Sequence, residues 1–189
     1  MNLKNNFDIK YKIPKPKNYK KYNIGIIGAG NIVENSHLPT YLDHNLNIIN
    51  IYDADTNKSK LLKDKFNIQK YSKNLDEFLN DKSIDIVDIA VPAKYNKELF
   101  FEALKYNKNI LIQKPLSDNI KTGLDILKKY QETNLKANVN HQMRYSPSIS
   151  AAGYLIKNNM LGNILEFNFY TKRKTDWSIW PWLDKIKYP

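Results

Sequence analysis

At 189 residues without a single cysteine, the chain has room for one complete α/β domain and the beginning of another, and disulfides, thiolate nucleophiles and Cys-ligated metals are excluded. The net charge of +11 invites a nucleic-acid partner, but only Arg144 and Arg173 are arginines and the lysines run through every segment, so a coding bias toward Lys, Asn and Ile is the plainer account than a phosphate-reading patch. No apolar run approaches the roughly 20 residues that span a bilayer, and the Lys-rich first residues lack the apolar centre of a secretory signal; the expectation is a cytoplasmic protein with neither membrane nor nucleic acid as partner.

Residues 1–21, with Pro14 and Pro16 among lysines, read as a basic, mobile or extended arm, an ordered cap on the domain being the alternative. From Tyr22 short apolar runs alternate with helical periods, the pattern of a doubly wound parallel α/β sheet. Strands are expected at 24–27, 46–52, 84–91, 109–112 and 135–139, with a weaker one at 68–71. Continuous apolar runs such as IDIVDIAV imply burial on both faces. Leu99, Phe100, Ala103 and Leu104 mark one helical face, and Ile120, Leu124 and Leu127 mark another at i, i+4, i+7; both faces are expected to lie on the sheet. Beyond Arg144 the pattern changes to a helix at 147–158, a turn at Gly162-Asn163 and an alternating strand at 164–170. That strand would leave a pairing edge open if nothing followed it. The last stretch carries Trp177, Trp180 and Trp182 without helical or strand period. The organisation is therefore an arm at 1–21, a Rossmann domain at 22–143 and, at 144–189, the incomplete start of an α+β domain.

The segment NIGIIGAGNIV sets Gly28 and Gly30 directly after a strand and before a helix. In a dinucleotide site the first glycine permits the tight turn and the second lets the backbone approach the pyrophosphate. The helix opening at Asn31 and Ile32 offers N–H groups and positive dipole. Val33 stands at the third glycine position, so the G-x-G-x-x-G pattern is incomplete. Gly25 lies within the strand and serves packing. Asp53 ends the second apolar run 23 residues after Gly30, near the spacing of an acid that accepts from the ribose 2′-hydroxyl. Such an acid favours NAD over NADP, with Asp55 adding negative charge and Asn57, Lys58 or Ser59 offering the route to NADP. The other reading of Asp53 is a helix N-cap.

Four motifs in order, GIIGAGNIVENSHLP, VDIAVP, QKPL and NVNHQMRYSP, resemble the glucose-fructose oxidoreductase, inositol dehydrogenase and MocA family (Gfo/Idh/MocA) from about Tyr22 onward. The resemblance implies a Rossmann domain joined to an α+β domain whose sheet faces the cofactor, and NAD(P)-dependent oxidation or reduction of a sugar, cyclitol or related polyol. It implies that Lys114 hydrogen-bonds the reacting hydroxyl and assists proton transfer; a snorkelling surface lysine is the alternative. Pro115 gives Lys114 an extended backbone, and the resemblance points to a cis bond there. Val91 and Pro92, followed by Ala93, come where the cofactor crosses the fourth strand. Asn96 stands where many relatives have histidine, and Gln113 where they have glutamate before Lys-Pro, so two titratable groups are absent while hydrogen-bonding capacity remains; the resemblance implies that Asn96, Gln113 and Lys114 contact the cofactor. Arg144 is read as a substrate ligand or an interdomain ion pair. His37 is implied to belong to the helix or cofactor pocket, His141 to line the site or pack at a strand end, and His44 to end a solvated helix; none has metal-ligand spacing.

Relatives place a further catalytic Asp and His in the second domain, after a segment like this Trp-rich stretch. The expectation is a C-terminally truncated oxidoreductase that binds NAD with weak or no turnover. The alternative is a non-catalytic nucleotide-binding scaffold that docks a partner or a second copy, as a homo-oligomer, through 164–170 and the tryptophans.

Overall fold

The computed structural model describes residues 21–170 and residue 172. Six parallel strands, β1 (Asn23–Ile27), β2 (Asn47–Tyr52), β3 (Lys70–Tyr71), β4 (Ile86–Ile89), β5 (Asn109–Gln113) and β6 (Ala137–Asn140), form one sheet in the order β3-β2-β1-β4-β5-β6. The strands are short and rich in Ile and Val, residues that suit a pleated surface covered on both sides. Each strand expected between residues 22 and 143 is present, the fourth trimmed at both ends.

Parallel strands require crossovers, and helices supply them. After β1 a helical run occupies residues 31–43, in which Val33–His37 is π-helical and α1 (Leu38–Asp43) follows. The remaining helices are α2 (Thr56–Lys65), α3 (Leu75–Leu79), α4 (Asn96–Lys105), α5 (Ile120–Gln131) and α6 (Pro147–Lys157). Asp55, Asn74 and Asn119 cap α2, α3 and α5, each accepting a backbone N–H of the first turn, so these starts follow from single polar side chains. Side-chain alternation divides the core. Ile24, Ile26, Ile48 and Ile51 pack under Val33, Leu38 and Leu62 on one face. Ile27, Ile49, Val87, Ile89, Ile110 and Ile112 pack under Phe78, Leu79, Phe100, Ala103, Leu104 and Ile126 on the other. This is a doubly wound Rossmann sheet, and its strand order reverses between β1 and β4, where a crevice opens at the carboxyl ends.

Two expectations are corrected. The period of α5 is helical as read, but the face is wrong: Ile120, Leu124 and Leu127 are 82%, 60% and 48% exposed, whereas Ile126 is 2% exposed against the sheet. A helix with two apolar stripes has a period that does not say which stripe faces inward. Here α4 beside it and Tyr130, packed on the same core, set the rotation toward Ile126. Residues 164–170 alternate but form no strand; a ladder needs a neighbour's N–H and C=O groups, and no described segment pairs with them. Leu165, Phe167, Phe169 and Tyr170 are exposed. The arm at 1–20 and the three tryptophans lie outside the described residues. Among the described residues no helix is long and apolar enough to cross a membrane.

Candidate cofactor and active site

The crevice at the carboxyl ends is built first from backbone. Gly28 has φ +109°, and a Cβ there would stand 2.4 Å from the Ala90 carbonyl oxygen, so the end of β1 passes against the end of β4 only as glycine. The Gly28 N–H donates to the Tyr52 carbonyl at 2.7 Å and the Ala90 N–H to that of Ile27 at 2.8 Å. At Gly30 a Cβ would meet nothing within 4 Å; the open space over that backbone is what a close-approaching pyrophosphate needs. Gly25 answers a different demand, since a Cβ would press on Ile84 and Phe78 at 2.7 Å.

Asp53, at the end of β2, accepts the Ala29 N–H at 2.7 Å and the Asp55 N–H at 2.8 Å. It ties the glycine loop to the start of α2, while the capping of α2 falls to Asp55. Each carboxylate oxygen keeps a second lone pair for a ribose hydroxyl. Burial and then the Asp53 charge raise the neighbouring Tyr52 phenol above its ordinary range. Beside the loop a groove of about 390 Å³ is lined by Ala29, Gly30, Asn31, Glu34, Asn57, Lys58 and Leu61; Ile32 is exposed in the opening turn. Loop glycines, open space and an acid at the second strand end together fit a dinucleotide.

Across the crevice the chain is positioned by side chains. Lys114, exposed, follows β5 and enters a cis bond with Pro115. Its N–H donates to its neighbour Gln113 Oε1 at 2.8 Å. Asn96, fully buried at the start of α4, donates from Nδ2 to the carbonyls of Pro115 at 3.0 Å and Leu116 at 3.1 Å. Its Nδ2 is thus committed to the Lys114 turn, while its Oδ1 is buried without a hydrogen-bond partner among the described residues. Val91 and Pro92 follow β4, half-buried and exposed respectively.

Arg144 lies beyond β6 in a 3₁₀ turn, Gln142–Tyr145, exposed and without an ion pair among the described residues; its backbone N–H donates to the His141 carbonyl at 2.9 Å and its carbonyl accepts from Ser150 Oγ at 3.2 Å. His141 and His44 are exposed at a strand end and a helix end. Among the described residues no three His, Asp or Glu side chains are grouped to hold a metal.

The arrangement that sequence reasoning missed lies under the crevice. His37, buried in the π-helical turn, places Nδ1 2.6 Å from Asp88 Oδ2 and Nε2 3.0 Å from Gln113 Nε2. Tyr41 donates to the same Asp88 oxygen at 2.8 Å. Burial, with the charge of Asp88 and that hydrogen bond, pushes the Tyr41 phenol far up, so it stays a donor. The available signal was Asp88, the second of the two carboxylates inside IDIVDIAV and the one set between Val87 and Ile89: a buried acid requires partners.

Comparison with known proteins agrees with this geometry. Residues 22–141 match the family described as "Oxidoreductase family, NAD-binding Rossmann fold" (GFO_IDH_MocA). The chain is 31% identical over 135 residues to YMR315W of Saccharomyces cerevisiae, covering 69% of this chain and 38% of that protein. It is 26% identical over 152 residues to glucose-6-phosphate 3-dehydrogenase of Bacillus subtilis, covering 80% and 43%. Its fold is similar to that of myo-inositol dehydrogenase from Lactobacillus casei, solved with NAD(H) and myo-inositol, at TM-score 0.69 and 20% identity over 75% of this chain and 42% of that one. The chain thus spans less than half the length of these relatives. With the matched stretch covering the whole sheet and every strand end described above, the chain belongs to the Gfo/Idh/MocA family of oxidoreductases, those built on an NAD-binding Rossmann fold.

Proposed function

We propose that this chain is the cofactor-holding part of an oxidoreductase that acts on a hydroxyl of a sugar, cyclitol or related polyol, with NAD favoured over NADP. The observation that carries the reading is the glycine loop pinned under Ala90 and onto Asp53, with the exposed Lys114 two strands away at the same end of the sheet. Relatives named for glucose 6-phosphate and inositol support the substrate class.

Gly28, Gly30 and the amides at Asn31 and Ile32 would hold the pyrophosphate, Asp53 the adenosine ribose, and Val91 and Pro92 the dinucleotide where it crosses β4. When bound, the nicotinamide exchanges a hydride with the carbon that bears the reacting hydroxyl. Lys114 Nζ takes the hydroxyl proton in oxidation and returns it in reduction. Arg144 holds a substrate oxygen with its guanidinium fork. Gln113 and Asn96 orient the lysine turn without exchanging protons. Residues 144–189 belong to the start of a substrate domain in this reading. The 189 residues alone are expected to bind NAD and to turn over weakly or not at all, because Lys114 and Arg144 stand open to water.

Titration with NADH, followed by cofactor fluorescence, tests the reading: saturable binding is expected, and a flat signal overturns it. Any polyol oxidation that is measured should vanish in Lys114→Ala. A scaffold reading, in which exposed Leu165, Phe167 and Phe169 dock a partner or second copy, is favoured instead if NADH binds and Lys114→Ala changes nothing.

A further inference from the structure

We propose that His37 and Asp88 are positioning residues for Lys114, acting through the Gln113 amide, and that His37 is for this purpose held as the neutral ring with its proton on Nδ1. The inference rests on the proposed role of Lys114 but is tested apart from it. Four elements meet in one chain of contacts. Asp88 on β4 is fully buried, with Oδ2 on His37 Nδ1 at 2.6 Å and under the Tyr41 hydroxyl at 2.8 Å. His37 Nε2 stands 3.0 Å from Gln113 Nε2, and Gln113 Oε1 accepts the Lys114 N–H at 2.8 Å.

An amide has a donor end and an acceptor end, so one contact dictates the other. Because Oε1 is taken by the Lys114 N–H, the NH₂ end must face His37 Nε2, which therefore carries a lone pair. The ring proton then sits on Nδ1 and donates to Asp88. Tyr41, held protonated, donates to the same oxygen, so Asp88 Oδ2 acts as an acceptor toward both. The opposite ring tautomer would set an N–H against an NH₂ and a bare nitrogen against a carboxylate. A protonated ring would force Gln113 to turn over and present its NH₂ to the Lys114 N–H, which has no use for it. Asp88 and Tyr41 are the titratable groups shown in contact with the ring.

The far side of the turn is closed independently. Asn96 holds the Pro115 and Leu116 carbonyls, so the backbone on both sides of the Lys114 Cα is fixed by buried or half-buried amides. The π-helical turn adds a link to the cofactor loop: it begins three residues after Gly30 and ends on His37, so a shift of the loop's helix bears directly on Gln113.

Long-range proton–nitrogen correlations of the His37 ring in the intact chain read the tautomer. A pyridine-like Nε2 and a protonated Nδ1 are expected; protonation at Nε2 in the wild type overturns the proposal. Gln113→Glu places a carboxylate oxygen where the NH₂ stood, and the ring should then carry protons on both nitrogens. A ring that stays neutral in Gln113→Glu also overturns it.

Transmission is read by amide exchange. Asp88→Asn or His37→Leu should speed exchange at Lys114 about fivefold or more, as loss of one hydrogen bond implies, while Ile110 and Ile112 in the β5 ladder stay within about twofold. Equal acceleration at all three would reduce the pair to general stability and sink the positioning role. If either variant fails to fold, the wild-type tautomer and Gln113→Glu decide. NADH titration of the same samples separates the two ideas: binding without the Nδ1 tautomer removes the relay alone, and the tautomer without binding removes the functional reading alone.

Discussion

The glycine loop and the Lys114 turn stand at the same end of one sheet, yet they are held by different means. The loop is shaped by what cannot fit: no side chain is tolerated at Gly28, and backbone-to-backbone hydrogen bonds tie it to β2 and β4. The turn is shaped by what reaches in: Gln113 and Asn96 supply the hydrogen bonds that its proline-interrupted backbone cannot make with a neighbouring strand. A loop of the first kind is sensitive to added atoms, and one of the second kind to removed ones.

Gly28→Ala is the most direct way to test that contrast and should have the largest effect. The new methyl would sit 2.4 Å from a carbonyl oxygen at a φ that L-residues rarely adopt, costing about 3 kcal/mol or more. Chemical denaturation should show the loss, with NADH binding abolished. Gly30→Ala meets nothing within 4 Å, so its denaturation midpoint should stay near wild type while NADH affinity falls. Equal destabilisation by the two would break the distinction between a glycine the fold needs and one the ligand needs.

On the other side, Asn96→Ala deletes both clamps on the Lys114 turn. Two carbonyls lose a donor next to a buried void, and a destabilisation of about 2 kcal/mol is expected. NADH affinity should change less than it does in Gly30→Ala, since Asn96 is fully buried and its Nδ2 is spent on the Pro115 and Leu116 carbonyls. Asp53→Asn should come next, at about 1 kcal/mol, because the Ala29 and Asp55 N–H groups bond to different carboxylate oxygens and an amide keeps a neutral acceptor for one while setting an NH₂ donor against the other. The same change removes a charge that opposes a 2′-phosphate, so the ratio of NADPH to NADH affinity should rise. An unchanged ratio would leave Asp53 a purely structural tie.

The opposite, amino end of the sheet provides a control in pH. Burial alone would raise the Asp81 carboxyl, but hydrogen bonds from Lys70 and Ser83 hold it at about 2 against an ordinary 3.8. A depressed carboxylate stabilises the fold fully above its unfolded value and loses that contribution as pH falls through the folded one. Stability should therefore drop between about pH 4 and pH 2, and Asp81→Asn should flatten that part of the curve.

What could be read in advance follows the same division. Gly28, Gly30 and Asp53 obey rules of spacing along the chain, whereas Lys114 is singled out only by the resemblance of QKPL to the family's motif. Strand positions were legible because short Ile- and Val-rich runs need no partner to be recognised. His37 and Asp88 were not, because 51 residues separate them and only the pairing of β1 with β4 brings them together. Nor did anything local announce the π-helical turn that aims His37 inward. Asn96 was read as a cofactor contact, and the direction its side chain takes at the start of α4 depends on how that helix meets the turn after β5. The 164–170 segment failed differently: alternation states a capacity to pair, and pairing is a property of two segments.

The α5 stripe is where the smallest effect carries the most information. Its period is genuine, and Ile120, Leu124 and Leu127 would be core residues had the helix been rotated the other way. In the structure they face water while Ile126 fills the core. Ile126→Ala should therefore cost about 2–4 kcal/mol by cavity formation, whereas Ile120→Ser and Leu124→Ser should each stay within about 0.5 kcal/mol. The serine variants should also keep wild-type NADH affinity, since the stripe touches neither the loop nor the lysine turn. A loss of more than about 1 kcal/mol in either serine variant would mean that the stripe is covered in the folded protein, and the outward rotation of α5 would then have to be withdrawn.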